Sequence, residues 1–167
     1  MLIGILSDTH GRHDSAAAGI KLLRDAGAEF LIHCGDVGGR PILDLLASGG
    51  EKPTAAFVWG NTDDDQDELT TYAAHLGIQC LGQYGTLSLG GKRVAVAHGH
   101  DPAVLRRFLN IEHPDYLLTG HTHVAHDCRE GTTRCINPGA LFRAAVKTVA
   151  LLDPARDDLR TLTVTLK

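Results

Sequence analysis

The chain has 167 residues, 20 acidic and 16 basic, for a formal net charge of −4, and 43% of it is hydrophobic. That suffices for one domain, residues 1–167, with a sizeable core. No basic stretch marks a nucleic-acid-binding face. No apolar run reaches the length of a membrane span or of a flanked signal-peptide core, so the cytoplasm is the expected compartment.

Strand and helix signals alternate through the first two thirds. Leu2–Leu6 reads as a strand, and Asp14 as the cap of a helix to about Ala26, stopped by Gly27. Phe30–His33 is a short buried strand. Pro41 suits the first turn of a helix to about Ala47, ended by Gly49-Gly50. Thr54–Trp59 is the third strand, and Asp65–Leu76 carries helical spacing. The pattern then changes to a hairpin, Tyr84–Leu89 and Lys92–Ala97, around Gly90-Gly91. Asp101-Pro102 opens a helix to about Ile111, and Tyr116–Thr119 is a strand. Val124–Arg129 and Thr132–Ile136 form a second hairpin. Lys147–Asp153 and Leu159–Leu166 alternate apolar and polar residues, as antiparallel strands do. The expected architecture is α/β: a two-layer sandwich of mixed sheets flanked by helices. None of the four cysteines forms a Cys-x-x-Cys pair, which argues against a structural zinc site. Cys128 and Cys135 flank the second hairpin turn and are expected as thiols in a reducing compartment.

Five short blocks carry the chemistry: Ser7-Asp8-Thr9-His10, Gly35-Asp36, Gly60-Asn61, His98-Gly99-His100 and Gly120-His121-Thr122-His123. Most follow an apolar strand, and strand ends of an α/β sheet open onto one edge. Asp8, His10, Asp36, Asn61, His98, His121 and His123 can therefore meet. Asp8 and His10 are two apart, as are His121 and His123. On an extended segment each pair points to one side. The glycines before Asp36, Asn61 and His121 are expected to provide sharp turns. Two carboxylates, one amide and four neutral imidazoles around two divalent cations leave a formal charge of +2, or +1 with a bridging hydroxide. Such a site attracts a phosphate ester. Imidazole-rich ligation favours manganese, iron, zinc, nickel or cobalt over magnesium or calcium. Asp36, alone in its block, is the natural bridge. Bridged metals lie ~3.5–4 Å apart and activate a water for in-line attack on phosphorus.

In this order the blocks resemble the calcineurin-like metallophosphoesterase family: Asp-x-His, Gly-Asp, Gly-Asn, His-x-His, Gly-His-x-His. The resemblance runs from Leu2 to about Arg143. The short length and Asn137-Pro138-Gly139 resemble its small bacterial and archaeal phosphodiesterase branch. The resemblance implies one metal on Asp8, His10 and His123, another on Asn61, His98 and His121, and Asp36 shared. It implies a β-sandwich fold, hydrolysis of a small phosphodiester or phosphomonoester, manganese, nickel or iron–zinc as cofactors (manganese foremost in vitro), and dimers or larger homo-oligomers.

The chain departs from the family at two points. Many relatives have a histidine after the Gly-Asn, thought to protonate the leaving group or bind the phosphate; here it is Thr62, too weak an acid for that task. Esters with good leaving groups are therefore expected to react fastest. His100, at the pocket edge, is the candidate for the missing catalytic and substrate-binding role, with Asn61 as a further substrate contact. The family's Asn-Pro-Gly-Ser reads Asn137-Pro138-Gly139-Ala140 here. Asp63-Asp64-Asp65 reads as a solvated loop and helix cap. His13, His33, His75, His113 and His126 read as ordinary surface or core histidines. Arg143 reads equally as a phosphate contact or a surface residue. A nucleotidase or other phosphomonoesterase on the same site is the first rival. A non-catalytic protein-binding scaffold of the same fold is the second, and the intact ligand set argues against it.

Overall fold

The computed structural model describes residues 1–47 and 55–166. Two mixed sheets stack face to face. The first has six strands in the order β11-β10-β1-β2-β3-β4: β1 is Ile3–Leu6, β2 Phe30–His33, β3 Ala55–Phe57, β4 Gln79–Cys80, β10 Thr148–Asp153 and β11 Asp158–Thr163. The second has five in the order β5-β6-β7-β9-β8: β5 is Tyr84–Leu89, β6 Lys92–Ala97, β7 Tyr116–Leu118, β8 His126–Glu130 and β9 Thr133–Asn137. Helices α1 (His13–Asp25), α2 (Arg40–Ala47) and α3 (Gln66–His75) cover the outer face of the first sheet, and α4 (Pro102–Arg107) lies over the second.

The alternation of side chains along β1 explains the layers. Ile3 and Ile5 point between the sheets, where they meet Ile32, Val94, Val96, Leu118 and Leu152. Leu6 turns the other way, into the layer shared with Ile20, Leu23, Leu43 and Phe57. A strand covered on both faces must be apolar throughout, as β1 and β2 are. Burying each such side chain contributes roughly 1.5–3 kcal/mol. Among the described residues no helix is long and apolar enough to cross a membrane.

Most elements fall where the sequence predicts them, and the first hairpin matches to the residue, with Gly90 and Gly91 both at positive φ. The differences have local causes. Asp14 lies inside the first turn of α1 and makes no capping bond; Arg12 occupies the cap position. The predicted cap Asp101 is real, its Oδ1 accepting from Ala103 N at 2.8 Å. The α4 helix is shorter than predicted: after Arg107 the chain widens into a π-helical turn, Phe108–Glu112, that buries Phe108. Strand β4 is two residues long, too short for a periodic signal. The last strand ends at Thr163 rather than Leu166. The predicted stop at Gly49-Gly50 and the start of the third strand at Thr54 lie outside the described residues.

Strands β1, β2 and β3 are mutually parallel in one sheet, and β6 and β7 are parallel in the other. Their carboxyl ends therefore emerge at shared edges. Stacking of the sheets brings the two edges together, and all five blocks sit there.

Candidate metal centre

The loops after these strands do not run extended. Asp8, His10, Asp36, His121 and His123 all have positive φ, between 44° and 67°. The expectation that residues two apart share a side because the backbone is extended is therefore corrected. The pairs converge because each loop coils through left-handed turns, a conformation that Asp and His tolerate better than most residues. Each such position still costs on the order of 1–3 kcal/mol, which the surrounding structure must hold in place.

The side chains form a tight cluster. Asp8 and His98 are fully buried and Asp36 nearly so. Asp36 Oδ2 lies 3.4 Å from His10 Nε2 and 3.3 Å from His98 Nε2. Asp8 Oδ1 lies 3.2 Å from His123 Nε2 and 3.9 Å from His98 Nε2. Two groups of donor atoms result, Asp8–His10–His123 and Asp8–Asp36–His98, each with its donors within 4.8 Å of one another.

Hydrogen bonds fix which atoms face inward. His121 N–H donates to Asp8 Oδ2 at 3.1 Å, which leaves Oδ1 for the cluster. Thr62 N–H donates to Asp36 Oδ1 at 3.0 Å, which leaves Oδ2. His98 Nδ1 donates to the Cys34 carbonyl at 2.8 Å, so in the neutral ring the lone pair sits on Nε2. Asp8 Oδ1, His10 Nε2 and His98 Nε2 are buried without a hydrogen-bond partner. Lone pairs thus face carboxylate oxygens, an arrangement that is repulsive until a cation or a proton lies between them. Burial alone would raise the Asp36 carboxyl. Contacts from His98 and Thr62 outweigh it and hold the group well below the usual carboxylate range. Burial opposes protonation of His98, but Asp36, the Cys34 carbonyl and Asp8 together raise its pKa. The donor set therefore fits divalent transition metals, and its imidazoles are already oriented for them.

Three supports were not apparent as such in the sequence. His33, read as ordinary, is buried and bonded to Thr9 Oγ1 and Gly35 N. Asp63, read as solvated, is buried; it accepts from Gly38 N at 2.9 Å and Gly60 N at 2.8 Å, and so ties the Asp36 loop to the Asn61 loop. Asn137 donates to the Gly120 carbonyl at 2.7 Å and to Thr122 Oγ1 at 3.1 Å, and accepts from Gly139 N. Only the Asn-Pro-Gly block hinted at any of these. The neighbouring glycines also act differently from expectation. Gly35 does need its positive φ, of 97°, but Gly60 and Gly120 are required by close packing. A Cβ on Gly60 would stand 2.0 Å from Asp36 Oδ1, and one on Gly120 would stand 1.9 Å from Ser7 Oγ.

The remaining predicted residues lie at the rim. The His121 ring is 5.1 Å from that of His98. Asn61 is exposed, in the loop that wraps Asp36 between Gly60 and Thr62. The exposed His100 stands 5.5 Å from His98 and 6.2 Å from His121, ring to ring. It borders a cleft of about 180 Å³ also lined by Gln83, Tyr84 and Val104. Burial and the nearby His98 and His121 lower its pKa. The Thr62 hydroxyl is 3.4 Å from His10 Nδ1. Cys128 and Cys135 are register partners across the second hairpin and remain thiols.

Residues 1–157 match the calcineurin-like phosphoesterase superfamily domain. The chain belongs to that superfamily. Phosphodiesterase MJ0936 of Methanocaldococcus jannaschii is 24% identical over 163 residues, covering 96% of this chain and 97% of its own. A solved archaeal phosphodiesterase superposes with a TM-score of 0.89 at 23% identity, over 98% of this chain and 100% of that one. Vps29 of Entamoeba histolytica, solved with Zn²⁺, shares the fold at a TM-score of 0.68 and 20% identity over the full length of both chains.

Proposed function

We propose that this protein is a dinuclear metal-dependent phosphoesterase acting mainly on phosphodiesters. The observation that carries the reading is the buried facing of His98 Nε2 and His10 Nε2 onto Asp36 Oδ2, without a hydrogen bond, inside a phosphoesterase-superfamily fold. Asp8, His10 and His123 would hold one cation, and Asn61, His98 and His121 the other, with Asp36 between them. When bound, such a pair supplies Lewis acidity and an activated water. Manganese is the first metal to try, and a cytoplasmic setting is consistent with the free thiols.

The chain's own residues do the rest. Hydrogen bonds from Thr62 and His121 hold one oxygen of Asp36 and of Asp8 and leave the other aimed inward. The Cys34 carbonyl fixes the His98 tautomer. Asn61 and His100 contact the phosphate ester from the rim, and the cleft beside His100 receives one of its alcohol arms.

The test is hydrolysis of paired aryl mono- and diesters by metal-free protein given manganese, nickel, zinc, cobalt or iron. Turnover of the diester above that of the monoester is expected. The reverse ranking favours a phosphomonoesterase. No turnover with any metal overturns the enzymatic reading and favours a non-catalytic scaffold of the same fold. Activity that survives Asp36→Asn or His98→Ala overturns the ligand assignment.

A further inference from the structure

Beside the His10 end of the centre stands an aromatic ring with two unpaired cations. The Phe142 ring packs 4.9 Å from that of His10. The Arg12 guanidinium lies 4.8 Å from the Phe142 ring centre and that of Arg143 5.0 Å. Among the described residues neither guanidinium has an ion-pair or hydrogen-bond partner, unlike Arg134, which Asp127 and Asp157 clamp. Both arginines are exposed, in a protein whose net charge is −4.

The backbone fixes their place. Arg12 N–H donates to the Thr9 carbonyl at 2.8 Å, within the loop of Asp8 and His10. Leu141 is fully buried and its N–H donates to the Ser7 carbonyl at 3.3 Å, which anchors the loop that carries Phe142 and Arg143. Arg143 is held at a φ of 47°. Packing on one ring limits the rotamers of both guanidiniums, and neither is committed to a carboxylate, so both can take a planar or tetrahedral anion. The cleft beside His100 lies at the His98 end instead, so the two flanks of the centre differ in chemistry.

We infer that Arg12, Phe142 and Arg143 form a subsite for a second phosphate, next to the scissile one, on the arm of the ester that lies over His10. The preferred substrates are then phosphodiesters that carry a further phosphate, a narrower class within the phosphoesterase reading on which this rests. Arg12 and Arg143 set specificity by charge and hydrogen bonding, and Phe142 orients them.

The test compares two esters of one nucleoside, thymidine 5′-(4-nitrophenyl phosphate) and the same compound with a 3′-phosphate, using metal-loaded protein. The readout is the ratio of their kcat/KM values. The wild type is expected to prefer the 3′-phosphorylated ester by at least about tenfold, the range of a charge-assisted contact. Arg12→Ala/Arg143→Ala should remove most of that preference, and Arg12→Lys/Arg143→Lys should restore part of it. An equal ratio in the wild type and the double alanine variant overturns the subsite. A second arm needs no turnover: thymidine 3′,5′-bisphosphate is titrated calorimetrically into metal-free protein. Binding weakened about tenfold or more in the alanine variant supports the subsite. Equal binding, or none to either protein, overturns it. If no ester is hydrolysed with any metal, the phosphoesterase reading fails while the calorimetric arm still decides whether the anion subsite exists.

Discussion

His33 Nε2 donates to the Thr9 hydroxyl across 2.9 Å, buried beneath the metal-binding loops. The direction is fixed because the other ring nitrogen accepts from Gly35 N–H at 3.2 Å. Thr9 Oγ1 then donates to the Val37 carbonyl at 2.8 Å. One neutral imidazole thus joins the loop of Asp8 and His10 to the loop of Asp36.

That ring should make stability sensitive to acid. Burial, reinforced by His98, pushes the His33 pKa from about 6.5 down to about 3. The unfolded chain takes up this proton as pH falls through 6.5, and the folded chain does not until about 3. Between those limits the unfolded state binds more protons, so stability is lost as pH falls, by on the order of 5 kcal/mol in total. Metal-free wild type and His33→Gln should therefore differ in the slope of unfolding free energy against pH between 7 and 4, with the wild type steeper. Parallel slopes in denaturant titrations would show that His33 is not held neutral.

Gly60→Ala should damage the centre through packing alone. The added methyl would fall 2.0 Å from Asp36 Oδ1 and 2.3 Å from Asp36 N. Both belong to a fixed loop, so Asp36 must move. A loss of about 1–3 kcal/mol or more is expected from the overpacking, with activity reduced further by displacement of the carboxylate. Gly77→Ala is the control: its Cβ would meet nothing within 4 Å, but it sits at a φ of 72°, so that variant reports backbone strain alone. Equal unfolding midpoints and metal affinities for the two variants would refute the steric account.

How far the sequence carries this picture depends on the range of each signal. The hairpin at Gly90-Gly91 was readable because its turn and alternation are local. Five of the seven ligand candidates, Asp8, His10, Asp36, His98 and His123, come together because their blocks follow strands, and the parallel order of β1, β2, β3 and of β6, β7 gathers such ends. The left-handed backbone at Asp8, His10, Asp36, His121 and His123 was not readable, since no residue in those loops demands it on its own. Asp63 looked solvated because it stands in an acidic triplet, but in the fold it turns inward to accept from Gly60 and from Gly38 of another loop. The widening at Phe108–Glu112 likewise depends on packing against the second sheet. Long-range contacts decide these features, and spacing in one chain does not encode them visibly.

Asn137 should act as a positioning residue for the last histidine pair. Its amide donates to the Gly120 carbonyl and to Thr122, and its oxygen accepts from Gly139 N. Asn137→Ala removes both donated bonds, leaving the Gly120 carbonyl to the Thr122 N–H alone and the buried Gly139 N–H without its acceptor, at a cost of about 1–3 kcal/mol. Asn137→Asp keeps the shape but not the donors and should not rescue it. Support of this kind typically tunes metal affinity by about 10–100-fold. The readout is the rise in unfolding temperature on adding manganese, which depends on metal affinity without requiring turnover. An unchanged manganese-induced rise in Asn137→Ala would rule out a positioning role.

Leaving-group chemistry follows from Thr62 and His100. The Thr62 hydroxyl lies beside His10 and has no acidic proton to give at neutral pH. The lowered pKa of His100 keeps its ring neutral there, so it can hydrogen-bond to an ester oxygen but does not deliver a proton as imidazolium. A departing alkoxide must then leave with little protonation. The rate should fall steeply as the pKa of the leaving alcohol rises, with aryl esters far ahead of alkyl esters. His100→Ala should lower kcat/KM by about 10-fold or less, the size of one lost hydrogen bond, and leave the slope of rate against leaving-group pKa unchanged. A shallow slope in the wild type that steepens in His100→Ala would instead assign His100 as the general acid.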